Sequence, residues 1–170
     1  MLSGMDKDEQ VEIWVRRYSD GLLRVCYVYL RDVGLAEDAV QDTFMKAYRK
    51  IDEQERYGGA YEKTWLMRIA INTCKDYLRW SWFRYVDRRK EIERLEAAAD
   101  ASPEDSLITL EIMRLPFKLK EVIMLYYYQE MTLREIASAL GVSISAVAKR
   151  LNKAKDALKH MLSDEGGVVE

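Results

Sequence analysis

Residues 131–162, MTLREIASALGVSISAVAKRLNKAKDALKHML, constrain the fold more tightly than any other stretch. Leu133, Ile136, Ala137 and Leu140 recur at helical spacing, and Thr132 with Glu135 three residues on has the spacing of a capping box. Gly141 stops this helix, because glycine takes the left-handed backbone that a tight helix–helix turn needs. Ser143 or Ser145 can cap a second helix. One side of that helix repeats Val147, Leu151, Ala154, Leu158 and Leu162, and the other carries Lys149, Arg150, Lys153 and Lys159. Small Ala137 permits a close crossing. Two helices, a glycine turn, and a second helix that is apolar behind and basic in front make a helix-turn-helix. An ordinary helical hairpin with a solvated charged face competes for the same pattern.

The charge of the chain is unevenly spread. Its formal net charge is −2, which by itself argues against nucleic acid. Residues 63–90 nevertheless hold 8 basic and 2 acidic side chains, and residues 114–160 hold 9 and 4. Between them, residues 91–113 hold 1 basic and 7 acidic side chains. Two basic blocks separated by an acidic one suggest two anion-binding surfaces on one chain.

Elsewhere helical periodicity dominates and strand alternation is absent, which gives an all-α fold. Residues 10–31 read as a long helix with Val11, Trp14, Val15, Tyr18, Leu22, Val25, Cys26 and Tyr29 inside, broken at Gly34. Residues 35–51 read as a second helix with Leu35, Ala36, Ala39, Val40, Thr43, Phe44, Ala47, Tyr48 and Ile51 inside. Its outer side holds Glu37, Asp38, Gln41, Asp42, Met45 and Arg49. YGGAY at 57–61 is a loop. Residues 63–85 form a third helix whose inner face is Leu66, Ile69, Ala70, Thr73, Cys74, Tyr77 and Leu78. Two small helical domains follow, at 10–85 and 106–163, joined by a charged, acidic linker at 86–105; Pro116 opens a helix of the second. With 49% hydrophobic residues, two prolines and eight glycines, the chain can build folded cores.

Catalysis finds no support. His160, the only histidine, is placed at the end of the last helix, where it answers the helix dipole. No nucleophile–base motif, phosphate-cradling glycine loop, cofactor fingerprint or metal-ligand spacing occurs. Cys26 and Cys74 lie in apolar helical patterns and read as buried thiols. The polar start and the lack of any apolar run near the ~20 residues of a membrane span point to the cytoplasm.

The outer face of the third helix carries a second constellation. Arg68, Asn72, Lys75 and Arg79, spaced by four, three and four, share one stripe opposite the apolar one. Cations suit phosphates, and an amide suits a base edge. Trp80, Trp82, Phe83 and Tyr85 follow, interleaved with Arg84, Arg88 and Arg89, a mixture that suits unstacked single-stranded bases. A solvated face with aromatics closing a small core is the plainer reading of the same residues.

Three runs add a family resemblance. LPFKLKEVIMLYYYQEMT, with EIASALGVS and VAKRLNKAKDAL behind it, resembles region 4 of sigma factors. TWLMRIAINTCKDYLR is similar to regions 2.3–2.4, and AEDAVQDTFMKAYRKI to region 2.2. In this order they resemble an extracytoplasmic-function (ECF, group IV) sigma factor, which keeps only regions 2 and 4. The resemblance implies a non-enzymatic subunit that joins bacterial RNA polymerase core, reads the −10 and −35 promoter elements and melts DNA at −10 for a stress or envelope regulon. It assigns Glu37, Asp38, Gln41 and Asp42 to the polymerase β′ clamp. Tyr61, Arg68, Asn72, Lys75 and Arg79 go to the −10 element, with loop 56–64 and Asn72 around a flipped base and Trp65 in the core. Ser145, Lys149, Arg150, Asn152 and Lys153 go to the −35 major groove. Further implied partners are the β flap and an anti-sigma factor, often membrane-anchored in the family. Two positions depart from the family pattern: Glu62 stands where an aromatic is usual, and Ala148 follows Val147 where Lys or Arg is usual. A stand-alone helix-turn-helix regulator and a pure protein-interaction module are the rival readings.

Overall fold

The computed structural model describes residues 5–56, 62–79 and 111–166, with the side chains of 55, 56 and 164–166 left aside. All regular structure among these residues is helical: α1 (Lys7–Leu30), α2 (Val33–Arg49), α3 (Ile51–Arg56), α4 (Glu62–Arg79), α5 (Phe117–Ile123), α6 (Leu133–Leu140) and α7 (Ile144–Gly166). A π-helical turn, Met124–Tyr128, continues α5, and residues 111–114 are helical as well. The helices form two units, one holding α1 to α4 and the other α5, α7 and most of α6. The linker at 86–105, the loop at 57–61 and the aromatic–arginine run from Trp80 onward lie outside the described residues.

In the first unit α1, α2 and α4 pack on one another. Trp14, Leu22, Val25, Cys26, Ala36, Ala39, Phe44, Leu66, Ala70 and Cys74 fill its core, as helical spacing predicts. Met67 and Ile71, not expected inside, are buried too. Val15, Tyr48 and Leu78, all expected inside, are exposed. They lie at the margins of their apolar stripes, where only the positions of neighbouring helices decide burial.

The break between α1 and α2 falls before Gly34. Arg31 takes the left-handed conformation (φ 55°) and closes α1 through its N–H to the Tyr27 carbonyl at 2.8 Å. Asp32 then caps α2 by accepting from the Leu35 N–H at 2.9 Å. With one free donor of the first turn satisfied by a side chain, the helix tolerates Gly34 inside it at a cost of only ~1 kcal/mol.

In the second unit α5 packs against α7. Pro116 stands at the N-cap of α5, as expected of a residue with no N–H to leave unpaired. The π turn, which no residue pattern announced, closes with the Gln129 N–H on the Met124 carbonyl at 3.2 Å. Glu130 then adopts a left-handed φ of 52°. The capping box forms as expected: Thr132 N–H donates to Glu135 Oε2 at 2.7 Å, and Glu135 N–H to Thr132 Oγ1 at 3.2 Å. Gly141 has φ 68°. Of the two candidate serines Ser143 is the cap, accepting from the Ala146 N–H at 3.1 Å. Val147, Leu151 and Ala154 are buried, whereas Leu162 is exposed. Since α7 runs to Gly166, His160 sits within the helix and not at its end.

Candidate protein and nucleic-acid interfaces

The outer side of α2 is an acidic surface bordered by exposed apolar residues, Val33 at its start and Met45 and Tyr48 further along. Glu37, Asp38 and Gln41 are exposed. Met45, one turn beyond Gln41, is 55% exposed and gives that surface an apolar foothold. Its position in a helical pattern marked it as outward. Asp42 differs from its neighbours. It is half-buried, and the Tyr77 hydroxyl of α4 donates a hydrogen bond to its carboxylate. Burial, then this bond and the Asp42 charge, push the Tyr77 phenol up from its usual range.

The stripe on α4 exists as read. Arg68, Asn72 and Arg79 are exposed and Lys75 is half-buried. Arg79 lies 3.5 Å from Asp76 in an exposed pair, which costs it little freedom. Trp65 heads inward, its ring meeting the Trp14 ring edge-on with centroids 5.6 Å apart. That agrees with a core role. Tyr61 lies outside the described residues.

On α7, Ser145, Lys149, Asn152 and Lys153 are exposed. Arg150 is half-buried, with its guanidinium 3.6 Å from the carboxylate of Glu121, itself buried on α5. So the helix has two kinds of cation: some face solvent and one is tied to the scaffold. Further along, Lys155 lies over the rings of Tyr126 and Tyr127, at 5.5 and 5.9 Å from their centroids. Beside it a groove of about 480 Å³ is lined by Ile112, Ile123, Tyr127, Tyr128, Leu158 and Leu162, with Lys155 and Lys159 at its edge. Exposed Leu162 belongs to this groove. Sequence periodicity could not find it, because three separate elements build it.

No grouping of His, Cys, Asp and Glu among the described residues could hold a metal ion. No described helix is long and apolar enough to cross a membrane.

A helix-turn-helix with exposed cations on its second helix, and a separate helical unit with its own cationic stripe, have the make-up of the DNA-binding class of proteins. Comparison with known proteins narrows that class. Residues 14–84 match the family model for Sigma-70 region 2, and residues 106–158 that for Sigma-70, region 4. The chain is 32% identical over 176 residues to the ECF RNA polymerase sigma factor SigW of Bacillus subtilis, covering 94% of this chain and 91% of that protein. It is 30% identical over 163 residues to the RNA polymerase sigma-E factor of Streptomyces avermitilis, covering 90% and 85%. Among solved structures it is similar to CnrH in complex with the cytosolic domain of CnrY, with a TM-score of 0.69, 26% identity and 95% and 92% of the two chains covered. The chain belongs to the extracytoplasmic-function sigma factors. It directs promoter recognition by RNA polymerase for a specialised regulon, and does so without catalysis of its own.

Proposed function

We propose that the surfaces described above divide the work of initiation. The acidic face of α2, with Glu37, Asp38, Gln41 and Met45, docks on the basic β′ clamp of the polymerase core. The α4 stripe holds the −10 non-template strand, with Arg68, Lys75 and Arg79 on phosphates and Asn72 on a base, aided by Tyr61 in the preceding loop. Ser145, Lys149, Asn152 and Lys153 of α7 meet the −35 duplex, and Arg150 sits behind them. The apolar groove beside Lys155 receives a helix of the β flap. In the cytoplasm an anti-sigma factor, soluble or membrane-anchored, would hold the protein off polymerase by covering the same surfaces.

One observation supports this reading above the others: the acidic face and the cationic stripe occupy different helices of one packed unit, so polymerase and DNA can be held at once. Extruding a base costs a few kcal/mol, which single-strand contacts offset. Tethering to polymerase raises the effective concentration of each DNA contact, so weak contacts suffice. That suits a chain of net charge −2, whose affinity for free DNA from phosphate contacts alone is modest. Run-off transcription on genomic fragments with purified core polymerase tests the proposal. Discrete start sites are expected only when the chain is added. Tight, symmetric binding to palindromic duplex without polymerase would favour a stand-alone regulator instead.

A further inference from the structure

We propose that Asp42, Tyr77, Lys46 and Thr73 form a two-rung polar ladder that sets the register of the −10 stripe against the polymerase-docking face. The inference rests on the assignment of those two faces made above. It moves Asp42 from the docking surface to a positioning role. In one rung the Tyr77 hydroxyl donates to the Asp42 carboxylate. In the other the Lys46 ammonium donates to Thr73 Oγ1 at 3.0 Å, and Thr73 Oγ1 donates onward to the Ile69 carbonyl at 2.8 Å. From 42 to 46 is one turn up α2, and from 77 to 73 is one turn down α4, so the rungs are successive and the helices antiparallel.

Apolar packing alone fixes such a pair loosely, because ridges and grooves repeat along a helix. Hydrogen bonds are directional and short-ranged, so two of them one turn apart resist both sliding and rolling. What they hold in place matters here. Thr73 follows Asn72 directly, and Lys75 lies between the two rungs' α4 residues. Across the interface, Asp42 follows Gln41, and Lys46 follows Met45. The Lys46–Thr73 rung therefore joins Met45 of the docking face to Asn72 of the DNA face through immediate neighbours, and the Asp42–Tyr77 rung, one turn away, stops the pair from pivoting about it. Polymerase fixes α2, and the ladder delivers Asn72 to a defined place. Misplacement by ~1 Å can cost ~100-fold where bound groups must be aligned.

The test compares core-polymerase affinity with the rate of open-complex formation on one promoter found by run-off transcription, using the full chain. Asp42→Asn keeps a carbonyl acceptor for Tyr77 but removes the charge. It should leave core affinity within about twofold of wild type, whereas Asp38→Asn weakens it more. Tyr77→Phe removes the rung. It should also leave core affinity within about twofold, yet slow open-complex formation about tenfold or more. Combining Tyr77→Phe with Asp42→Ala should be no worse than the poorer single variant. The ladder is wrong if Asp42→Asn loses as much core affinity as Asp38→Asn, since Asp42 is then a docking contact. It is equally wrong if Tyr77→Phe lowers affinity and rate together, or neither. A wild-type chain that does not bind core at all overturns the docking assignment and the ladder with it.

Discussion

Asn72 is the one amide on the exposed stripe of α4, among three cations. A cation attracts any phosphate, but an amide that both donates and accepts distinguishes one base edge from another. Asn72→Ala should therefore cost ~1–3 kcal/mol of discrimination at a single −10 position. Lys75→Ala should weaken all promoters alike. Transcription from templates substituted position by position through −10 separates the two outcomes. Arg150 makes the opposite point. Its guanidinium lies 3.6 Å from a Glu121 carboxylate that is only 6% exposed. Removing one partner of a half-buried pair is destabilising, so Arg150→Ala should lower the stability of the second unit by ~1–3 kcal/mol. Lys149→Ala should leave the melting temperature unchanged and reduce transcription only on templates with a −35 element. Identical melting of the two variants would return Arg150 to the DNA-reading set.

Among the elements, the turn between α6 and α7 has a cost that can be isolated. Gly141 has φ 68°, and a Cβ there would meet nothing within 4 Å. Gly141→Ala therefore carries no steric clash, and only the left-handed backbone penalty of ~1–2 kcal/mol remains. Urea denaturation should show a loss of that size with an unchanged slope. The α2–α4 and α1–α4 contacts instead make the first unit sensitive to alkali. Cys74 is held above its usual value of 9.0 by its hydrogen bond with Cys26 and by burial. Tyr77 is held above 10.0 by burial and by Asp42. On unfolding, both groups return to their ordinary values, so above these the unfolded chain sheds protons that the folded chain retains. Stability is thus full below about pH 9 and falls as pH rises past the free thiol and then the free phenol. Melting temperatures measured from pH ~8 to ~11 should decline, and more gently in Tyr77→Phe.

At the scale of the whole molecule, charge alternates along the chain, with 7 acidic side chains and 1 basic in residues 91–113 between two basic blocks. Attraction between exposed charges is weak, ~0–1 kcal/mol per pair, and salt screens it. Even so, an acidic stretch tethered to two basic blocks is expected to compete with DNA for them. Replacing Glu91, Glu93, Glu96, Asp100, Glu104 and Asp105 by Gln or Ser should raise affinity for free DNA at low salt, with the difference vanishing as salt rises. Equal affinity at low salt would reduce the stretch to a spacer.

The sequence alone determined the all-helical class, the capping box at Thr132 and Glu135, the glycine turn at Gly141, most of the first unit's core and the exposed stripe Arg68–Asn72–Arg79. These follow from spacing, caps and backbone freedom, which act over a few residues and are written in local order. Only the tertiary structure decided the rest. It made Asp42 a partner of Tyr77 and Arg150 a partner of Glu121, although each had the charge and spacing of a surface contact. It exposed Val15, Tyr48, Leu78 and Leu162, buried Met67 and Ile71, and assembled the groove beside Lys155 from three elements. Periodicity says which face of a helix a residue occupies; it cannot say what stands opposite. For a charged residue on the edge of an apolar stripe, the group opposite determines whether it reads DNA, binds a partner or holds two helices in register.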